Sequence, residues 1–209
     1  TSGDWSVVGY ELSRDGTRIA HHRAPNPLFG DREKGDVWVM DADGSQAVRL
    51  TDNGVTEGDA TLSPDNRWVA FTSGSRADLG ESYYNTNVFL VPARGGEIRE
   101  LVPEVGHGLD QITWSADGEA LYVLANTGLR DQLFRLDVEA DELEFVTEGD
   151  HALGGWSYYP DTDTHVFTRT TGTSPGEVWT ADASGMRQVT RVFDGIEERF
   201  RLPREEAIQ

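Results

Sequence analysis

Short runs in which β-branched and aromatic residues alternate with polar ones fill this chain, and Gly, Asp, Asn and Pro separate them. Runs of that length and composition predict strands. No stretch carries the 3.6-residue apolar period of an amphipathic helix. In the first quarter of the chain the predicted strands are residues 7–12, 18–22, 36–40 and 46–50. The same order then returns three times. The turn Ser13-Arg14-Asp15-Gly16 recurs as Ser63-Pro64-Asp65-Asn66 and Ser115-Ala116-Asp117-Gly118, and in a weaker copy as Tyr159-Pro160-Asp161-Thr162. Asp-Gly pairs favour tight reversals, because Gly accepts a positive φ and Asp can bond to the backbone that follows it. The third runs are Asp36-Val37-Trp38-Val39-Met40, Asn87-Val88-Phe89-Leu90-Val91, Gln132-Leu133-Phe134-Arg135-Leu136 and Glu177-Val178-Trp179-Thr180.

The period is 43 to 52 residues, the range of four-stranded propeller blades. The fold class read from it is all-β, a β-propeller of four-stranded blades. The four blades cover residues 5–51, 58–102, 109–147 and 154–190, so that residues 1–190 form one propeller segment. Residues 191–209 alternate charge with single apolar residues, lack a fifth copy of the turn, and read as a connector leading out of the array.

Trp38, Phe89, Phe134 and Trp179 occupy matching third-strand positions, and Trp68 and Tyr122 are read as a matching pair in the second strand. Large rings fill the wedge between twisted sheets, so these aromatics are expected to pack blade against blade. The links between second and third strands are short in blades three and four and long in blades one and two. The first long link presents Phe29 after two prolines, and the second carries Tyr83 and Tyr84. Loops on one propeller face tend to carry binding functions. Phe29, Tyr83 and Tyr84 are therefore candidate partner or substrate contacts.

Composition narrows the function. The 209 residues hold 37 acidic and 18 basic side chains, a net charge of -19, and Lys34 is the one lysine. A surface this acidic repels phosphate backbones, which argues against nucleic acid. No apolar run approaches the length of a membrane-spanning helix. The absence of cysteine removes disulfide and thiolate chemistry and leaves the compartment open: cytoplasmic or, after removal of a leader, periplasmic or secreted.

The search for chemistry is largely negative. There is no Gly-x-Ser-x-Gly, no His-Glu-x-x-His and no phosphate-binding glycine loop. His107 and His151 occupy equivalent links between blades, and solvated loop positions account for them. No cofactor is expected, and no residue earns a catalytic role. Glu57, Asp59 and Asp110 begin or precede the innermost strands. In a toroid those strands line the axis, where carboxylates could attract the amino end of a peptide. A self-contained propeller enzyme would need a convergent polar or metal site.

The turns Leu62-Ser63-Pro64-Asp65-Asn66 and Trp114-Ser115-Ala116-Asp117-Gly118, and the runs closing in Asp41-Ala42-Asp43-Gly44 and Val91-Pro92-Ala93-Arg94-Gly95-Gly96, resemble the TolB-like propeller repeat. That repeat occurs in the Tol translocation protein and in the propellers of prolyl oligopeptidase-family serine peptidases. The long second-blade link, the unequal blades and the exit segment Phe200-Arg201-Leu202-Pro203-Arg204-Glu205-Glu206 are similar to the acylaminoacyl-peptidase and dipeptidyl-peptidase-like branch. The resemblance implies four blades of a seven- or eight-bladed propeller, cut at both ends. It also implies a non-catalytic part that gates or anchors peptide substrates for an α/β-hydrolase domain in cis. The alternative it leaves is a TolB-like protein-binding module of the cell envelope. Open blade edges would favour self-association.

Overall fold

A computed structural model describes residues 3–53, 55–74, 85–102 and 106–202. Sixteen strands form four separate four-stranded antiparallel sheets, each a meander in sequence order. Blade one holds β1 (Ser6–Leu12), β2 (Arg18–Ala24), β3 (Asp36–Asp41) and β4 (Val48–Arg49). Blade two holds β5 (Glu57–Leu62), β6 (Trp68–Ser73), β7 (Asn87–Pro92) and β8 (Arg99–Leu101). Blade three holds β9 (Gly108–Trp114), β10 (Ala120–Asn126), β11 (Asp131–Asp137) and β12 (Glu142–Phe145). Blade four holds β13 (Ala152–Tyr159), β14 (Thr164–Thr171), β15 (Ser174–Asp182) and β16 (Gly185–Gln188). The repeat reading of the sequence therefore holds as a fold. A 3₁₀ turn spans Phe29–Lys34, and a single helical turn, α1 (Ile196–Arg199), follows the last blade.

The recurring turn is a hydrogen-bond circuit. The Ser13 hydroxyl donates to Asp15 Oδ1 at 2.7 Å and accepts from the Arg18 N–H at 2.9 Å, while Asp15 Oδ1 accepts from the Thr17 N–H at 3.0 Å. Ser63 and Asp65 repeat it at 2.7, 3.0 and 3.0 Å, and Ser115 and Asp117 at 2.6, 3.0 and 3.0 Å. Every donor that the reversal would strand is satisfied locally. Gly16, Asn66 and Gly118 take the left-handed position at φ 74, 59 and 77°, which Gly and Asn tolerate best. A second device recurs at the outer edge. The hydroxyls of Thr51, Thr147 and Thr190 accept from the N–H groups of Val37, Leu133 and Val178 at 2.8, 2.9 and 2.9 Å, pinning the last link of blades one, three and four to the third strand.

Strand register defines equivalent positions. His21 lies opposite Trp38, Phe71 opposite Phe89, Val123 opposite Phe134 and Phe167 opposite Trp179. In blades two, three and four this leading face packs on the trailing face of the blade before it. Phe71 and Phe89 meet Ala20, Val37 and Val39. Val123 and Phe134 meet Ala70, Val88 and Leu90. Phe167 and Trp179 meet Tyr122 and Leu133. At the second junction the Trp114 indole N–H also reaches across to the Thr61 carbonyl at 3.2 Å. Three apolar cores thus hold four blades, and among the described residues no such core joins blade four to blade one.

Two expectations are corrected. Leu62 pairs with Val69 and Trp114 with Leu121, so Tyr122 matches Ala70, and Trp68, two positions earlier, matches Ala120. Tyr122 is buried at a junction, whereas Trp68 is 38 % exposed and packs no core. Trp38 occupies the expected position but has no preceding blade to meet, and its ring stacks on Arg23.

Candidate functional site: the axial cavity

The first strand of every blade is interrupted by a bulge. The register shifts between Val7 and Gly9, between Gly58 and Thr61, between Leu109 and Gln111, and between Gly154 and Ser157. A bulge re-aims the side chains beside it. Asp59 lies in the second bulge at φ 35°, Asp110 in the third, and Gly155 and Trp156 in the fourth, with Gly155 at φ 58°.

The four bulged strands enclose a cavity of about 420 Å³ lined by Glu11, Asp59, Gln111, Thr113, Trp156 and Tyr158, with each blade contributing. One side is acidic. Glu11 Oε1 accepts from the Thr61 hydroxyl at 2.5 Å. Surrounding protein pushes the Glu11 carboxyl above its ordinary range, against the Thr61 bond, and the Asp59 charge adds to the push. The Asp59 carboxyl is raised in the same way, by burial first and by Asp110 after it, while the Ile112 N–H opposes the shift. Both side chains still touch cavity solvent, so these shifts are damped. Asp110 lies just beyond, in an adjoining hollow shared with Asp59, Gly58 and Gln111.

The other side is aromatic. Tyr122 and Tyr158 both donate to Asp163 Oδ1, at 2.9 and 2.8 Å, and Trp156 donates to His165 Nδ1 at 3.3 Å. His165 is 2 % exposed, with the Tyr122 ring edge-on at 4.3 Å and the Tyr158 ring stacked at 4.9 Å. Burial pushes Tyr158 up to about 12, with Asp163 adding to the shift, and moves Tyr122 in the same direction. A wall built this way is stiff and presents π-faces and hydroxyls beside carboxylates.

On the turn side Arg14 reaches from blade one to two other blades. Its Nη1 donates to the Ala116 carbonyl of blade three, and its Nη2 to Asp161 of blade four, each at 3.1 Å.

The residues singled out in the sequence divide. Asp59 and Asp110 do come together at the axis. Glu57 turns instead into the junction of blades one and two, where it accepts from Thr51 Oγ1 at 2.7 Å, Asn53 Nδ2 at 2.6 Å and the Val37 N–H at 3.1 Å. Burial raises its pKa despite these bonds. Phe29 stands 86 % exposed at the start of the 3₁₀ turn, away from the axis residues. Tyr83 and Tyr84 lie outside the described residues. His151 is not a solvated loop residue: it is 1 % exposed and its Nδ1 accepts from Arg169 Nε at 3.3 Å. Among the described residues no group of three or more His, Asp or Glu side chains is placed to hold a metal ion. No helix among them is long and apolar enough to cross a membrane. Sequence reasoning missed Glu11, Trp156 and Tyr158 as axial residues. The Gly154-Gly155 pair was the available signal for the bulge that aims the latter two.

No family model matches the chain. A curated Bacillus subtilis (strain 168) protein, the uncharacterized peptidase YuxL, is 28 % identical over 123 residues, which cover 59 % of this chain and 18 % of that protein. Among solved structures, TolB from Acinetobacter baumannii superposes with a TM-score of 0.65 at 15 % identity, over 91 % of this chain and 45 % of its own. An oligogalacturonate lyase in complex with manganese gives 0.68 at 16 % identity, over 86 % and 51 %. A Mycobacterium tuberculosis puromycin-hydrolyzing peptidase gives 0.65 at 14 % identity, over 87 % and 30 %. The chain thus spans about half or less of each of these proteins. At such identities the likeness is one of fold: four unclosed blades resembling the propeller domains of TolB and of peptidases.

Proposed function

We propose that these four blades act as a non-catalytic binding module, of the kind that engages a protein or peptide at a propeller axis. The observation that carries this reading is the axial cavity, to which all four blades contribute, with carboxylates on one side and a braced aromatic wall on the other. That pairing suits a protonated amine followed by an apolar side chain, as at the start of a peptide. Cations over aromatic faces gain about 0.5–2 kcal/mol, and Glu11 and Asp59 supply the counter-charge. The serine hydroxyls that recur along the chain, Ser13, Ser63 and Ser115, are committed to their turns. In this reading the axial residues hold and orient a ligand.

The test is a titration with a hydrophobic peptide carrying a free amino terminus and with its acetylated form, followed by calorimetry. Binding of the free form alone, weakened in Asp59→Asn and Glu11→Gln, supports the reading. Equal binding of both forms, or none, overturns it.

A second reading, favoured by the match to a peptidase of Bacillus subtilis, places the same blades beside a hydrolase domain that they gate. Its test is the longer reading frame in the source DNA, assayed on chromogenic dipeptide and acyl-amino-acid substrates. Hydrolysis lost on replacing a nucleophile-elbow serine supports gating. A frame without such a serine leaves the binding module.

A further inference from the structure

The leading face of blade one differs from its three counterparts. Leu12 is 55 % exposed, while Leu62 and Trp114 at the same register are 5 and 6 % exposed. This face holds a cavity of about 330 Å³ whose walls include Trp5, Arg23, Lys34, Asp36, Trp38 and Arg49. The Arg23 guanidinium is sandwiched there, its carbon 4.2 Å from the Trp5 ring centroid and 4.0 Å from that of Trp38. Its Nε donates to His21 Nε2 at 2.9 Å. His21 is 1 % exposed, and burial together with the Arg23 charge pulls its pKa down to about 4, so it stays a neutral acceptor at neutral pH.

The other two cations of the cavity are neutralised. Lys34 Nζ lies 2.6 Å from Asp31, and Arg49 Nη2 lies 2.6 Å from Asp36 and 2.8 Å from Asp52. Among the described residues Arg23 makes no ion pair and its two Nη groups have no acceptor, since Asp36, opposite it in register, is held by Arg49. A half-buried charge without a counter-charge is costly, and it is unexpected in a chain with twice as many acids as bases. Trp38 adds a second unmet donor to the same walls, since its indole N–H is buried without an acceptor. Blade four repeats part of this arrangement at the equivalent register position, with a single ring in place of two. Arg169 lies over Trp179 at 4.7 Å, and His151, from the link that leaves blade three, takes its Nε–H.

We propose that the cavity is a carboxylate-binding site, in which the Nη1 and Nη2 groups of Arg23 clasp both oxygens of a polypeptide carboxylate. A guanidinium held flat between two rings presents its fork in one fixed plane, which favours two parallel bonds. Trp5, Trp38 and Pro25 cover the apolar atoms beside the carboxylate. A chain-terminal carboxylate and a glutamate side chain offer the same chemistry. The site is on the flank of the array and does not depend on the axial reading.

The experiment is nitrogen-15 NMR of the chain, following the indole N–H signals of Trp5 and Trp38, assigned through Trp5→Phe and Trp38→Phe. Three short peptides serve as probes: one with a free carboxyl terminus, one amidated but carrying an internal glutamate, and one amidated with glutamine in its place. Saturable shifts with either acid and none with the glutamine amide are expected, and which acid shifts the signals identifies the source. Affinity should fall at least tenfold in Arg23→Gln and by an intermediate factor in Arg23→Lys, which keeps charge and bulk. Equal response to the amide, no response to either acid, or unchanged binding in Arg23→Gln overturns the site. Should Arg23→Gln not fold, the acid-against-amide comparison on the unaltered chain and Arg23→Lys still decide it.

Discussion

Arg14 and Asp161 join the first blade to the fourth across 147 positions of sequence, with guanidinium Nη2 and carboxylate 3.1 Å apart. Asp161 is free to do this because its turn has Tyr159 where the other three have serine. In those three turns the aspartate is occupied by the serine hydroxyl, whereas Asp161 has no such partner and receives the arginine. Both side chains are substantially exposed, at 43 and 67 %, so the pair should contribute no more than about 1 kcal/mol. Its consequence is a polar tie between two blades that, among the described residues, share no apolar core. Arg14→Ala is expected to leave the urea midpoint nearly unchanged while raising amide hydrogen exchange in residues 116–118 and 161–163. A large loss of stability would mean that the arginine carries the fold instead of adding a surface tie.

Phe89 and Phe29 separate the framework from the loop tip. Phe89 is fully buried between blades one and two and stacks on Phe71 with centroids 5.4 Å apart. Phe89→Ala should cost about 3–5 kcal/mol through lost burial and the void left behind. Phe29→Ala, at an 86 % exposed position, should change stability by less than about 0.5 kcal/mol and weaken only partner engagement. Equilibrium urea denaturation distinguishes the two. A comparable loss at Phe29 would show that the tip belongs to the packed structure.

The blades were legible because their determinants are local. Ser63 and Asp65 are two positions apart, and they fix a turn wherever they recur. Trp38, Phe89, Phe134 and Trp179 mark the third strand because strand alternation commits every second residue to one face. Tyr122 was matched to the wrong partner because a two-residue offset keeps the face and so leaves the alternation pattern unchanged, while register depends on the strand opposite. The axial site was only half legible. Asp59 and Asp110 follow from their place at the head of inner strands, but their aim comes from bulges, which a period-2 pattern conceals. Glu57, one residue before Gly58, looked equivalent to them, yet the hydroxyl of Thr51 and the amide of Asn53 draw it into a junction. Arg14 carried no local signal, since its partners are 102 and 147 residues away.

Asp163 is the shared acceptor of Tyr122 and Tyr158, and it sits at φ 47°, where Asn is tolerated as well as Asp. Asp163→Asn keeps an acceptor oxygen and the backbone preference and removes the charge. Tyr158 should then titrate below its present value of about 12. Burial, the larger cause of its shift, remains, so it should stay above the ordinary tyrosine value. Ultraviolet titration of the phenolate band measures this. Asp163→Ala removes the acceptor too and should cost about 1–3 kcal/mol, the penalty for leaving the inner hydroxyl unsatisfied. An unmoved Tyr158 in the Asn variant would show that the carboxylate does not bear on the aromatic wall.

His165 makes the third junction sensitive to acid. The imidazole is enclosed by Tyr122, Tyr158 and Trp156, and burial pulls its pKa down to about 4. In the unfolded chain it takes a proton near the ordinary value of about 6.5. Between those limits the unfolded state binds more protons than the folded one, so stability falls as pH drops from about 6.5 towards 4 and is level above. His21, also lowered to about 4 by burial, adds to the same slope, each by at most about 1.4 kcal/mol per pH unit. Glu11, Asp59 and Glu57 act oppositely. Their raised pKa values make the folded state the better proton acceptor above the ordinary carboxylate values, so their contribution is lost as pH rises through their folded values. The histidine slope is read between pH 5 and 6.5, inside the span from the folded to the ordinary histidine value. Urea midpoints taken across that window should decline for the unaltered chain and decline less for His165→Phe, which keeps a ring against Tyr122 and cannot take a proton. Parallel curves for the two proteins would assign the acid sensitivity to the other buried histidines, His21, His22 and His151, and remove His165 from the account.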